Sequence, residues 1–113
     1  MANNRAIRNR SHLPDYANRI RIVSLDTTGV ETSRSGTIDN DGYLQIRVNT
    51  GSNVKSPYWR LHINNVIVTE GYKFSADSYI YRMSGLFEVK KGDTYKVEFA
   101  GANESELYYY PLR

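Results

Sequence analysis

Apolar and polar residues alternate along this chain in short runs, and the period is almost everywhere two. The cleanest run is Tyr43–Val48, where Leu44, Ile46 and Val48 take one side and Tyr43, Gln45 and Arg47 the other. Tyr58–Ile63 repeats the pattern, with Trp59, Leu61 and Ile63 opposite Tyr58, Arg60 and His62. Arg19–Ile22 alternates so that Ile20 and Ile22 face one way, and Val66–Val68, Ser78–Met83 and Phe87–Val89 add further strands. Val97 and Phe99 alternate with Lys96 and Glu98, and the chain closes on an aromatic strand through Tyr108–Tyr110. Val30–Ile38 is rich in Ser and Thr and reads as a loop or an edge strand.

Turn chemistry punctuates these runs. Asp26–Gly29, Asp39–Gly42 and Lys90–Asp93 are turns with glycine available for left-handed backbone. Asn64–Asn65 predicts a two-residue hairpin, because Asn tolerates positive φ. Glu70–Gly71 opens a looser aromatic stretch, and Ser84–Gly85 turns again. No ten-residue window holds a helical period and no internal repeat is present, which excludes solenoids and propellers. About eight short strands at this spacing predict an all-β fold, an antiparallel β-sandwich of jelly-roll type.

The chain has 113 residues, one domain's length. Ten tyrosines suit a sheet, and the absence of cysteine removes disulfides and thiolate metal sites. The net charge of +3 is uneven: residues 1–22 carry five arginines and one aspartate, a net +4, which leaves −1 for residues 23–113. The expected organisation is a basic arm, 1–12, followed by a knob domain, 13–113. The near-neutral body argues against nucleic acid, whose phosphates demand a basic stripe. No apolar run reaches the length of a membrane span or signal-peptide core, so no membrane partner is expected.

Catalytic chemistry is thinly represented. His12 and His62 are the only histidines, and no nucleophile elbow, phosphate loop or zinc-binding helix motif occurs. Asp39 with Asp41 and Glu104 with Glu106 form carboxylate pairs, but all four read as turn residues. Asp39–Gly42 lacks the further oxygen ligands of a calcium loop. The expectation is a non-enzymatic protein without cofactor or metal.

Aromatic surface is the stronger theme. Tyr58, Tyr72, Phe74, Tyr79 and Tyr81 fall in one central region, several opposite the core side. Such a cluster serves either a subunit interface or a sugar-binding shelf, with Asn53, Lys55 or Asp77 supplying hydrogen bonds. Tyr58, Tyr72, Phe74, Tyr79, Asn53 and Lys55 are the candidate ligand-binding residues. Tyr81, Tyr108, Tyr110 and Leu112 are the candidate oligomer interface.

Four motifs occur in order: Leu13-Pro14-Asp15-Tyr16, Asn40-Asp41-Gly42-Tyr43-Leu44, Ile63-Asn64-Asn65-Val66-Ile67-Val68, and Phe87-x-Val89-Lys90-Lys91-Gly92-Asp93-x-Tyr95 with a terminal Tyr109-Tyr110-Pro111-Leu112-Arg113. This set resembles the C-terminal tip domains of tail fibres from tailed bacteriophages and prophages of gut bacteria. The resemblance implies a homotrimeric knob that adheres to a bacterial surface glycan or protein, commonly polysaccharide, through variable loops. It also implies a virion location, after synthesis in host cytoplasm. Here only a dozen residues precede the first motif, in place of a fibre shaft, which leaves a trimmed tip or a small free-standing virion protein. Together with Met1 this favours a small virion protein whose arm, through Arg5, Arg8 and Arg10, docks on a capsid, collar or tail subunit. The alternative is a monomeric, lectin-like carbohydrate-binding sandwich.

Overall fold

The computed structural model describes residues 12–50, 57–72 and 80–113. Nine strands are present among them: β1 (Ile20–Leu25), β2 (Glu31–Thr37), β3 (Gly42–Thr50), β4 (Tyr58–Ile63), β5 (Val66–Tyr72), β6 (Ile80–Met83), β7 (Phe87–Val89), β8 (Thr94–Ala100) and β9 (Glu104–Pro111). They form two antiparallel sheets. The first has the order β1-β9-β3-β6, with β7 also on β3; the second has the order β2-β8-β4-β5. β6 and β7 pair with opposite ends of β3 along one edge, Arg47–Thr50 and Gly42–Leu44. Ser84 bridges the gap between them, donating its N–H to the Ile46 carbonyl and accepting from the Ile46 N–H through Oγ. Counted as one interrupted strand, β6 and β7 complete the eight strands of a jelly roll, as the alternation predicted.

The period-two pattern builds the core. Leu44, Ile46 and Val48 of β3 meet Leu107 of β9 across the sandwich from Trp59, Leu61, Val97 and Phe99, all buried. Burying each such side chain contributes about 1.5–3 kcal/mol. β2 is an edge strand, its full length paired with β8.

One local feature is added and two expectations change. β1 carries a bulge between Arg21 and Val23, so Val23 takes the core position opposite Leu107 and Ile22 is left exposed. The stretch at Glu70–Gly71 is not loose: β5 continues to Tyr72, and Gly71 is needed because a Cβ there would meet the Trp59 ring at 2.5 Å. Glu104 and Glu106 lie in β9, not in a turn, since that strand begins four residues before the tyrosines.

The turn motifs gather at one end. Asn64 and Asn65 have φ of 50° and 65°, the left-handed pair of a two-residue hairpin. Asn64 Nδ2 donates to Asp93 Oδ1, the Lys91 N–H donates to Asp41 Oδ1, and the Tyr109 hydroxyl donates to the Asn40 and Asp41 carbonyls. The N-terminal segment enters at this end, where Pro14 bridges Leu112, the Asp15 N–H donates to the Pro111 carbonyl and the Tyr43 hydroxyl donates to the His12 carbonyl. At the opposite end Thr27 ties two loops together: its N–H donates to the Ala102 carbonyl and its Oγ1 accepts from the Ala102 N–H.

Candidate functional site: the outer face of the first sheet

Because antiparallel partners point the same way, register alone specifies what the first sheet shows on its outer face. β9 contributes Glu104, Glu106, Tyr108 and Tyr110; β3 contributes Tyr43, Gln45, Arg47 and Asn49; β1 contributes Arg21 and Ser24; β6 contributes Tyr81 and Met83. Over one half of this face the N-terminal segment folds back. A 3₁₀ turn at Tyr16–Asn18 sets the Tyr16 ring edge-on to Tyr110, with centroids 5.7 Å apart. Arg19 lies 4.2 Å over the Tyr108 ring, and the Tyr110 hydroxyl donates to Gln45 Oε1 at 2.6 Å. This roof explains why Tyr108 and Tyr110, which point away from the core, are buried.

The other half is open. A groove of about 660 Å³ runs from Arg19 and Tyr108 to Asp26 and Asn103, with Arg21, Arg47, Tyr81 and Glu104 along it. Glu106 is fixed in its floor with a side chain only 4% exposed. Its Oε2 accepts from Arg21 Nη1 at 3.0 Å and from the Tyr108 hydroxyl at 2.9 Å, and its Oε1 accepts from Arg47 Nη1. Burial pushes the Glu106 carboxyl up, but Tyr108, Arg21 and Arg47 outweigh it and hold the group below the usual carboxylate range. Burial and the bond to Glu106 both push the Tyr108 phenol up. Arg47 is the hub. Its Nε donates to the Tyr81 hydroxyl at 2.8 Å, Nη1 reaches Glu104 at 2.8 Å, and its guanidinium lies 4.8 Å from the Tyr81 ring centre. Tyr81 remains 50% exposed at the groove wall.

The outer face of the second sheet is organised differently. Tyr58 and Tyr72 are direct cross-strand partners there, beside the row Arg60, Glu70 and Glu98. Arg60 Nε donates to Glu70 Oε2 at 3.1 Å and its guanidinium lies 4.7 Å over Tyr58. The Tyr58 phenol is pushed up to about 12, chiefly by its hydrogen bond to Glu31. His62 stands against Glu98 in the same array.

The tyrosines that look like one cluster in the sequence therefore divide: Tyr58 and Tyr72 on one sheet, Tyr81, Tyr108 and Tyr110 on the other. Leu112 is half-buried against the N-terminal segment. Asn53, Lys55, Phe74, Asp77 and Tyr79, and the arm residues Arg5, Arg8 and Arg10, lie outside the described residues. Sequence reading missed Arg19, Arg21, Arg47, Glu104 and Glu106 as a set, because three strands and the residue before β1 bring them together. The available signal was parity in β9: Glu104, Glu106, Tyr108 and Tyr110 share one. Among the described residues no group of three His, Cys, Asp or Glu is arranged to hold a metal, and no helix is long and apolar enough to cross a membrane.

No protein-family model matches the chain, and no curated protein matches it. Solved structures with a similar fold include a ruminal GH26 endo-β-1,4-mannanase (12% identity, 89% of this chain and 23% of that one, TM-score 0.43). The chain thus spans about a quarter of the mannanase chains it matches. Others are carbohydrate-binding module CBM36 in complex with calcium and xylotriose (15% identity, 89% and 91% covered, TM-score 0.41) and a family 35 carbohydrate-binding module from Clostridium thermocellum (11%, 83% and 88%, TM-score 0.45). At these scores the likeness carries no functional argument, which rests on the residues of the groove.

Proposed function

We propose that this chain is a non-enzymatic, saccharide-binding jelly roll that takes its ligand in the groove on the outer face of the first sheet. The observation that supports it is the groove itself. At about 660 Å³ it lies within the roughly 300–1,000 Å³ of small-ligand sites. Its hydrogen-bonding groups project mainly from strands, and the half-exposed Tyr81 ring offers an amphipathic wall against which a sugar's C–H face can lie. Glu106 serves as a buried strut for Arg21 and Arg47 and not as an acid or base, since both its oxygens are taken.

The test is a glycan array with the whole chain, followed by calorimetry on the best ligand. Tyr81→Ala is expected to weaken binding by about tenfold or more, in line with the loss of one aromatic contact, and Tyr72→Ala to leave it unchanged. Loss with Tyr72→Ala and not with Tyr81→Ala would move the site to the second sheet.

A second reading joins this site to the fibre-tip resemblance: a homotrimeric virion knob. It is favoured by exposed apolar side chains on two opposite flanks. Ile20 and Ile22 rim a slot of about 290 Å³ beside β2, and Met83 and Tyr72 rim another of about 250 Å³ between β5 and β6. Joining one flank to the other flank of the next copy is a heterologous contact, which closes into a ring of three when each copy is turned by a third of a revolution. Light scattering should then give three times the chain mass, falling to one in Ile22→Asp; a monomer at micromolar concentration would remove this reading.

A further inference from the structure

We infer that the groove is selective for acidic saccharides and receives a sugar carboxylate on Arg21, with Arg19 beside it. The inference rests on the saccharide reading and adds the ligand's charge to it.

The reason is an imbalance between donors and acceptors. A neutral sugar presents hydroxyls, each of which needs an acceptor for its proton as well as a donor for its lone pairs. The buried acceptor is already committed at both oxygens, and Glu104 and Asp26 each at one. Glu106 is buried and takes Arg21, Arg47 and Tyr108; Glu104 takes Arg47; Asp26 Oδ1 accepts the Thr28 N–H at 3.0 Å. Donors remain in excess. Each guanidinium carries five N–H groups. Arg21, with a side chain 57% exposed, is held to Glu106 through Nη1. Arg21 lines the groove, and a carboxylate, which only accepts, is the group that matches a guanidinium in a planar two-point contact.

Pre-organisation strengthens the case. A free arginine loses side-chain entropy on binding; Arg21 has already been oriented by the buried Glu106, so less is lost when a ligand arrives. Arg19, stacked on Tyr108 and bonded to the Tyr110 hydroxyl at 3.3 Å, is fixed in the same way. Three arginines stand against Glu104 and Glu106 in the groove, with Asp26 at its far end.

The experiment is calorimetric titration of the whole chain with tri-galacturonate, its neutral methyl ester, and a sulfated trisaccharide. The acid should bind about tenfold tighter than the ester, and the difference should shrink as salt is raised. Arg21→Gln should erase the preference, and Arg21→Lys should keep part of it by retaining charge without the fork. Because Arg21 also supports Glu106, thermal unfolding of each variant is measured alongside, and Arg19→Gln, which leaves Glu106 untouched, supplies an independent reduction of the preference. Equal binding of acid and ester overturns the inference and leaves the saccharide reading intact. Tighter binding of the sulfated sugar than of the acid overturns the carboxylate assignment. Binding of none of the three, nor of any array glycan, overturns both readings.

Discussion

The outer faces of the two sheets start from similar material and end differently. Each carries arginine, glutamate and tyrosine in adjoining cross-strand rows, and each stacks an arginine on a tyrosine. On the second sheet the Arg60–Glu70 pair stays at the surface, its side chains 39% and 52% exposed. On the first sheet Glu106 is sealed beneath its partners, because the strands on both sides of β9 contribute Arg21 and Arg47 and β9 itself adds the Tyr108 hydroxyl. The same residue types are thus a solvated ladder in one setting and a strut in the other. What separates them is how many donors converge on one carboxylate.

The largest expected consequence is at the two glutamates. Glu106→Ala should lower the unfolding free energy by roughly 2–3 kcal/mol, since it strips a buried, charge-assisted hub from two arginines and a phenol. Glu70→Ala should cost less than about 1 kcal/mol, as exposed pairs do. Urea unfolding of both variants tests this, and equal losses would abolish the contrast. Next, Tyr16→Ala should cost about 1 kcal/mol by removing the edge-on contact with Tyr110. Hydrogen exchange would read it as faster exchange of the Asp15 amide, whose bond to the Pro111 carbonyl anchors the roof. Unchanged exchange would mean the roof does not depend on that ring.

Two smaller effects concern pH. The folded Glu106 carboxyl lies below its unfolded value, so its stabilisation is complete above the ordinary carboxylate range and is lost as pH falls through the folded value. Glu106→Gln should therefore flatten the acid limb of the stability profile, and an unaltered limb would contradict the network. On the second face, Tyr58 should ionise near pH 12 and return toward the ordinary 10.0 in Glu31→Gln, followed by phenolate absorbance. A phenol raised in the folded state stabilises below its unfolded pKa and loses that contribution as pH rises toward the folded one. The effect is confined to strongly alkaline solution.

The jelly roll was legible because burial of one sheet face imposes a period of two that any single strand displays. Leu44, Ile46 and Val48, Trp59 and Leu61, and Val97 and Phe99 declare their sides without reference to neighbours. Turns were equally local: the left-handed Asn64–Asn65 pair and Gly92, at φ 94°, are requirements of the backbone at those positions. The bulge that brings Val23 to the core position of β1 leaves no mark in the pattern. The groove was hidden for a deeper reason. Arg19, Arg21, Arg47, Tyr81 and Glu106 are separated by up to 87 positions and meet only through the order β1-β9-β3-β6. Alternation tells a strand which side is apolar, but not which strand will lie beside it. The sequence by itself determined the two-layer architecture, the core and the turns, because these follow from local periodicity and backbone chemistry. Tertiary structure alone decided that Glu106 is buried, that the tyrosines part onto two faces and that three arginines converge, because those outcomes depend on register between distant strands.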